Sequence, residues 1–386
     1  GFPKMAKRIE AQTERVDLSA VLASAREPVR YHSVIFEDLQ PETLYAYRVG
    51  DGADRWSEWI QFRTAAAEAK PFKFIYFGDA QNDVMSRWAR VIRMAHQTAP
   101  DAAFALHAGD LINRANADEE WAGWFKAGGY LHAQWTGFPV IGNHEYAPTG
   151  GATKSQKVMS ALWRPQFTLP VEDALPETLH ETVYSVDYQG VRVIALNSCA
   201  DVAAQSDWLE AELSKPGCDW KIVTFHHPIY SPGARRNYED ADRQRWKRLF
   251  AEHNVDFVLQ GHDHSYVRGQ TPVLDEHGTP GRKFQTFYVT SVSGPKQYKV
   301  DEQHMKTYGA EGYATIRRGM NTQFFQVLEF DGEQAVYNAY TATGELYDSA
   351  VIKKSFRTGK KKISQRVPET DERTYDNTIE YSKNDL

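Results

Sequence analysis

Five short stretches of this 386-residue chain end in side chains that bind metal ions, and each follows an apolar run of strand length. They are Gly78-Asp79, Gly109-Asp110, Gly142-Asn143-His144-Glu145, Val223-Thr224-Phe225-His226 and Gly261-His262-Asp263-His264. The runs that lead into them, 72–77, 103–106, 139–141, 221–225 and 255–259, are rich in β-branched and aromatic residues and read as buried strands. Glycine after a strand lets the backbone turn sharply or approach an ion closely. In open α/β sheets, ligands gather beyond the carboxyl ends of strands, so five strands can serve one crevice. Helix-like segments at 83–99, 116–134, 205–214 and 240–254 separate the strands, which argues for a layered α/β domain.

The residue types specify a chemistry. Two cations about 3.5–4 Å apart can clamp the attacking and leaving oxygens of a phosphoryl group. Holding them that close requires a bridging anion, and an aspartate is the natural candidate. Imidazole mixed with carboxylate suits Zn, Fe and Mn better than Ca or Mg alone. Asn143 adds a neutral oxygen donor. The set reads as a two-metal hydrolytic site.

In this order, Asp79, Gly109-Asp110, Gly142-Asn143-His144-Glu145, His226 and Gly261-His262-Asp263-His264 resemble the calcineurin-like metallophosphoesterases, and within them the purple acid phosphatases. The resemblance implies an α/β fold of two mixed β-sheets packed face to face with flanking helices. It implies two metal ions, of Fe, Zn or Mn. Asp79, Asp110 and His264 would hold the first, with Asp110 bridging, and Asn143, His226 and His262 would complete the second. A hydroxide between the metals would attack phosphorus, and His144 would protonate the leaving group. The implied activity is that of a phosphomonoesterase on small phosphate esters. A phosphodiesterase acting on nucleotides or phospholipid headgroups is the alternative, and a non-catalytic scaffold that binds metal or phosphate is a further one.

The chain departs from the pattern twice near the first metal. Where purple acid phosphatases place a metal-binding Tyr three residues after the bridging Asp, it has Asn113. Where other relatives place His two residues after the first Asp, it has Gln81. Both amides are candidate ligands. His227, Tyr146, Tyr230, Arg235 and Arg236 follow ligand motifs and are candidate substrate contacts. Arg presents a planar fork that fits phosphate, whereas a solvated basic loop and ordinary aromatic packing are the simpler alternatives. His107 reads as a satisfied interior histidine.

Within residues 1–66, 32–39 and 44–49 alternate at period two, and Leu39, Pro41, Thr43 and Tyr45 resemble the corner of a fibronectin type III sandwich. They read as a partial all-β domain, followed by a catalytic domain at 71–355 and a charged tail at 356–386, extended or mobile. The net charge of −6 gives no sign of a nucleic-acid surface. No apolar run is long enough to span a bilayer. No signal peptide is visible, although the family resemblance favours a secreted or periplasmic location. Cys199 and Cys218 flank a helix and read either as free thiols or, in an exported protein, as one bridge. Because Asn113 replaces the tyrosine, the iron-loaded protein is expected to be colourless. Its visible spectrum tests this, and a strong tyrosinate-to-iron band would refute it.

Overall fold

A computed structural model describes residues 6–19, 28–148, 157–233, 241–274 and 280–374. Two antiparallel hairpins come first: β1 (Gln12–Val16) with β2 (Val29–Ser33), and β3 (Leu44–Tyr47) with β4 (Ile60–Arg63). Between them the Gln40 N–H donates to Tyr45 Oη at 2.8 Å, and the Thr43 hydroxyl donates to the Pro41 carbonyl at 2.8 Å. These hairpins do not stand alone. Val16 and Leu18 are buried in one cluster with Trp121 and Trp163. Tyr47 Oη donates to the Ala133 carbonyl at 2.7 Å.

Next come β5 (Phe72–Phe77), β6 (Phe104–His107) and β7 (Thr136–Pro139), which run parallel, and the short hairpin β8 (Tyr146–Pro148) and β9 (Lys157–Met159). Then β10 (Tyr184–Tyr188), β11 (Val191–Ala195), β12 (Trp220–Phe225), β13 (Phe257–Gln260), β14 (Tyr266–Leu274), β15 (Pro280–Thr290) and β16 (Ala314–Gly319) form one sheet. Its order is β10-β11-β12-β13-β15-β14-β16. Finally β17 (Phe324–Asp331), β18 (Gln334–Thr341), β19 (Leu346–Lys354) and β20 (Lys361–Gln365) complete the other, ordered β20-β19-β18-β17-β5-β6-β7. Helices Ala89–Thr98 and Asp118–Gly128 link the parallel strands of that sheet, and Ser206–Ser214 and Ala241–Glu252 do so in its partner.

Strand alternation decides the layers. Phe74 and Tyr76 of β5 meet Trp220 and Ile222 of β12 in one core between the sheets. Ile75 and Phe77 point the opposite way, into a core with Val91 and Ile92. Val223 and Phe225 likewise pack on Leu209 and Trp246. Both faces of these strands are buried, so they read as continuous apolar runs rather than as alternation. The layers are helix, sheet, sheet, helix. No helix among the described residues is long and apolar enough to cross a membrane.

Buried polar bonds bolt the sheets together. Arg268 of β14 grips Asp348 of β19 with two donors, at 2.5 Å and 2.7 Å, and neither side chain is exposed. Tyr266 Oη donates to the same carboxylate at 2.6 Å. Part of the tail expected to be extended or mobile is an edge strand, since β20 pairs antiparallel with β19. Lys361 has only 2% of its side chain exposed, with its ammonium 3.0 Å from Asp256. The lysine run thus hides a strand with one inward-facing lysine. Residues 375–386 lie outside the described part. Asp348→Ala would leave a buried guanidinium unpaired and should cost about 3–5 kcal/mol. Urea unfolding measures this, and a loss below about 1 kcal/mol would show that the pair is not a structural bolt.

Candidate metal centre

Each ligand-bearing stretch lies beyond the carboxyl end of a parallel strand: Asp79 after β5, Asp110 after β6, Asn143 after β7, His226 after β12, and His262 and His264 after β13. Strand β7 ends at Pro139 rather than at the expected Ile141, so the loop to Asn143 is longer than the sequence suggests. The backbone is strained where it meets the centre. Asp110 and His262 have φ of 51° and 68°, left-handed values that a non-glycine residue adopts at a cost. Gly109 precedes Asp110 at φ 87°, and a Cβ on it would strike the His226 ring.

Glu145 braces this turn. Its carboxylate accepts the N–H groups of Asp110 at 3.0 Å, Leu111 at 2.8 Å and Gly142 at 2.7 Å. Burial, and then the charge of Asp110, push the Glu145 pKa up to about 8. Sequence reading placed Glu145 in a motif but gave it no task, because its partners are backbone groups from two loops.

Two triads of buried donors share Asp110: Asp110, His226 and His262 in one, Asp79, Asp110 and His264 in the other. Within each triad the donor atoms all lie within 4.8 Å of one another. His226 Nε2 is 3.1 Å from Asp110 Oδ2, 3.2 Å from Asn143 Oδ1 and 3.0 Å from His262 Nδ1. His264 Nε2 is 3.3 Å from Asp79 Oδ1.

These donors fit metal ions. His226 Nδ1 faces the Ala108 carbonyl at 2.9 Å, and His264 Nδ1 faces the Lys296 carbonyl at 3.0 Å. With each Nδ1–H given to a carbonyl, each Nε2 is directed at a carboxylate oxygen, where a metal ion could take the place of a proton. Asp79 Oδ1 is buried with no hydrogen-bond partner, although His264 is close by. Burial works against charge on His226, yet Asp110, its hydrogen bond and Asp79 together raise its pKa to about 9. Burial also opposes ionisation of Asp110, but His226 and His144 hold it well below the usual carboxylate range.

The two departures separate in space. The Gln81 amide lies in the centre, with Nε2 3.0 Å from His264 Nε2 and 3.3 Å from Asp110 Oδ2. Its Oε1 is buried without a partner, and exchanging the two amide atoms would turn that oxygen inward. Asn113 contributes its backbone, because its carbonyl accepts from His144 Nδ1 at 2.6 Å. The His144 N–H donates to Asp110 Oδ1 at 2.8 Å, and its Nε2 is 4.0 Å from Asp110 Oδ2.

The centre opens onto a cleft of about 220 Å³ whose wall includes Gln81, His144, His227, Lys157 and Tyr298. His227 is held by Ser198 Oγ, 2.9 Å from its Nδ1. Tyr230 is not a wall residue. It stacks on Tyr313 with ring centres 4.0 Å apart and is 3% exposed, inside the core behind the second sheet. Tyr146 is also committed elsewhere, accepting from Asn197 Nδ2 at 2.8 Å. Arg235 and Arg236 lie outside the described residues. Lys157 and Tyr298 escaped the sequence reading, since neither adjoins a ligand motif. His107 is interior, but neither ring nitrogen has a hydrogen-bond partner, so it is packed rather than satisfied. Cys199 and Cys218 are free thiols.

Residues 72–266 match the calcineurin-like phosphoesterase family. The chain belongs to that family. Residues 5–64 match the purple acid phosphatase N-terminal domain. An uncharacterized protein of Mycobacterium tuberculosis is 28% identical over 297 residues, covering 67% of this chain and 54% of its own length. Purple acid phosphatase 23 of Arabidopsis thaliana is 25% identical over 272 residues, covering 61% of this chain and 57% of the relative. The chain thus spans little more than half the length of these relatives. The fold is shared with a purple acid phosphatase from yellow lupin (Lupinus luteus) seeds, at a TM-score of 0.74 and 19% identity, over 92% of this chain and 69% of that one.

Glu145→Ala should lower metal affinity about 10–100-fold, as loss of a group that orients ligands does. Metal content after dialysis against graded chelator reads this out, and an unchanged affinity would remove Glu145 from the centre.

Proposed function

We propose that the chain hydrolyses phosphate monoesters with two metal ions. Asp79, Asp110 and His264 would hold one, and Asp110, Asn143, His226 and His262 the other. The observation that supports this most is a single buried carboxylate shared by two donor triads. Ions bound there supply the Lewis acidity that activates water and offsets charge on phosphoryl oxygens. The rest falls to the chain's own residues. His144 gives its Nδ1–H to the Asn113 carbonyl, which leaves Nε2 as the nitrogen able to protonate a leaving oxygen. His227 borders the cleft and is placed to contact substrate oxygens. Gln81 offers a neutral amide in place of a histidine, and with Asn113 in place of the tyrosine no phenolate is supplied, a donor set that would favour a divalent first ion over a ferric one.

A paired assay tests the reading, with p-nitrophenyl phosphate and bis-p-nitrophenyl phosphate, each with added Mn, Zn or Fe. The monoester is expected to be hydrolysed faster. A faster diester would make the chain a diesterase, and no turnover of either ester with two metals bound would end the enzymatic reading. His144→Ala should keep its metals and lose about 10²–10⁴ in rate, most for poor leaving groups. Equal losses for good and poor leaving groups would remove the proton from His144.

A further inference from the structure

Among the described residues that border the cleft, Lys157 is the one lysine or arginine. It opens β9 and pairs with Pro148, four residues past His144. The far end of its hairpin is tied down: the Ser160 N–H donates to the Glu145 carbonyl at 2.9 Å, and Ser160 Oγ donates to the Ala115 carbonyl at 2.6 Å. Lys157 is therefore carried by the same braced segment as His144 and Glu145. Among the described residues no carboxylate lies within ion-pair reach of it. Burial, then Asp110 and Glu145, push the Cys199 thiol up, and Lys157 works against that rise. Among the described residues the rest of the wall is polar, with Tyr298 the one aromatic ring besides the imidazoles and no aliphatic side chain, so these residues offer no apolar face for a base or an acyl chain.

We infer that Lys157 is a phosphate-binding residue that selects dianionic phosphomonoesters with small, polar leaving groups over monoanionic diesters. This rests on the hydrolytic reading above for its substrate, but not for its ligand. A phosphate monoester carries about two negative charges near neutral pH, spread over three free oxygens. A diester keeps one charge on two. The metals can take up charge from either. A compact ammonium across the cleft gains most from the additional charge of the monoester.

Calorimetric titration of inorganic phosphate, and separately of dimethyl phosphate, into the metal-loaded full chain tests this without turnover. Lys157→Ala should weaken inorganic phosphate about ten-fold or more and dimethyl phosphate less than about three-fold, with metal content unchanged. Lys157→Arg should restore most of the loss. Undiminished phosphate affinity in Lys157→Ala overturns the assignment, as does a parallel loss for both ligands or no phosphate binding by the parent chain. If the parent chain binds phosphate through Lys157 yet hydrolyses neither ester, the assignment stands and the hydrolytic reading falls.

Discussion

The Glu145 carboxylate takes three backbone N–H groups from two separate loops, and the geometry of the centre depends on it. Without that acceptor, the buried N–H groups of Asp110, Leu111 and Gly142 would lose their partner, at a cost per group of about 1–3 kcal/mol. Asp110 would also lose the restraint that keeps it left-handed at φ 51°. Its carboxylate is the one group common to both donor triads. A turn that a non-glycine residue resists is thus held in place by a carboxylate absent from the cleft wall.

The donors come from both sheets. Asp79, Asp110 and Asn143 follow strands of one, and His226, His262 and His264 follow strands of the other. A centre of this kind keeps its dimensions only if the sheets do not slide. The apolar core resists separation but is less particular about sliding, because dispersion and burial are non-directional. Directional bonds set the register. Tyr76 Oη donates to the carbonyl of Gln260, two residues before His262. Arg268 and Asp348 lock a second point, and Lys354 reaches across to Asp256 at 2.7 Å at a third. These groups look unrelated to chemistry in the sequence, yet they hold the two halves of the donor set at one spacing.

What the sequence disclosed follows the range of the interactions. Strands such as 72–77 and 220–225 announce themselves because both faces are buried and all positions but Lys73, Lys221 and Thr224 are apolar. The ligand motifs are legible because a strand, a turn and a donor are consecutive. Tyr230 misled because adjacency to His226 says nothing of direction, and the chain turns it into an aromatic core with Tyr288 and Tyr313. Lys361 gave no signal because it stands in the charged tail between Lys360 and Lys362, whereas the strand turns its side chain inward onto Asp256. Lys157 was invisible because only the fold brings it to the same cleft as Gln81 and Tyr298, which are far from it in the sequence. Asn113 acts through its backbone carbonyl, and the Glu145 carboxylate acts on backbone N–H groups, which carry no side-chain signature.

The charge balance of the centre ties these threads together. Asp79 and Asp110 are buried, and among the described residues neither pairs with a lysine or arginine. Two carboxylates without compensation in such a place would be strongly unfavourable. In the metal-free chain the positive charge comes from imidazole, since the carboxylates hold a proton on buried His226 against the cost of its burial. A bound cation would compete with that proton for the same nitrogen, so metal uptake would expel the proton. The committed Nδ1–H groups of His226 and His264 let this happen without turning either ring. The donor set is therefore built in advance for a charge that the polypeptide itself does not carry.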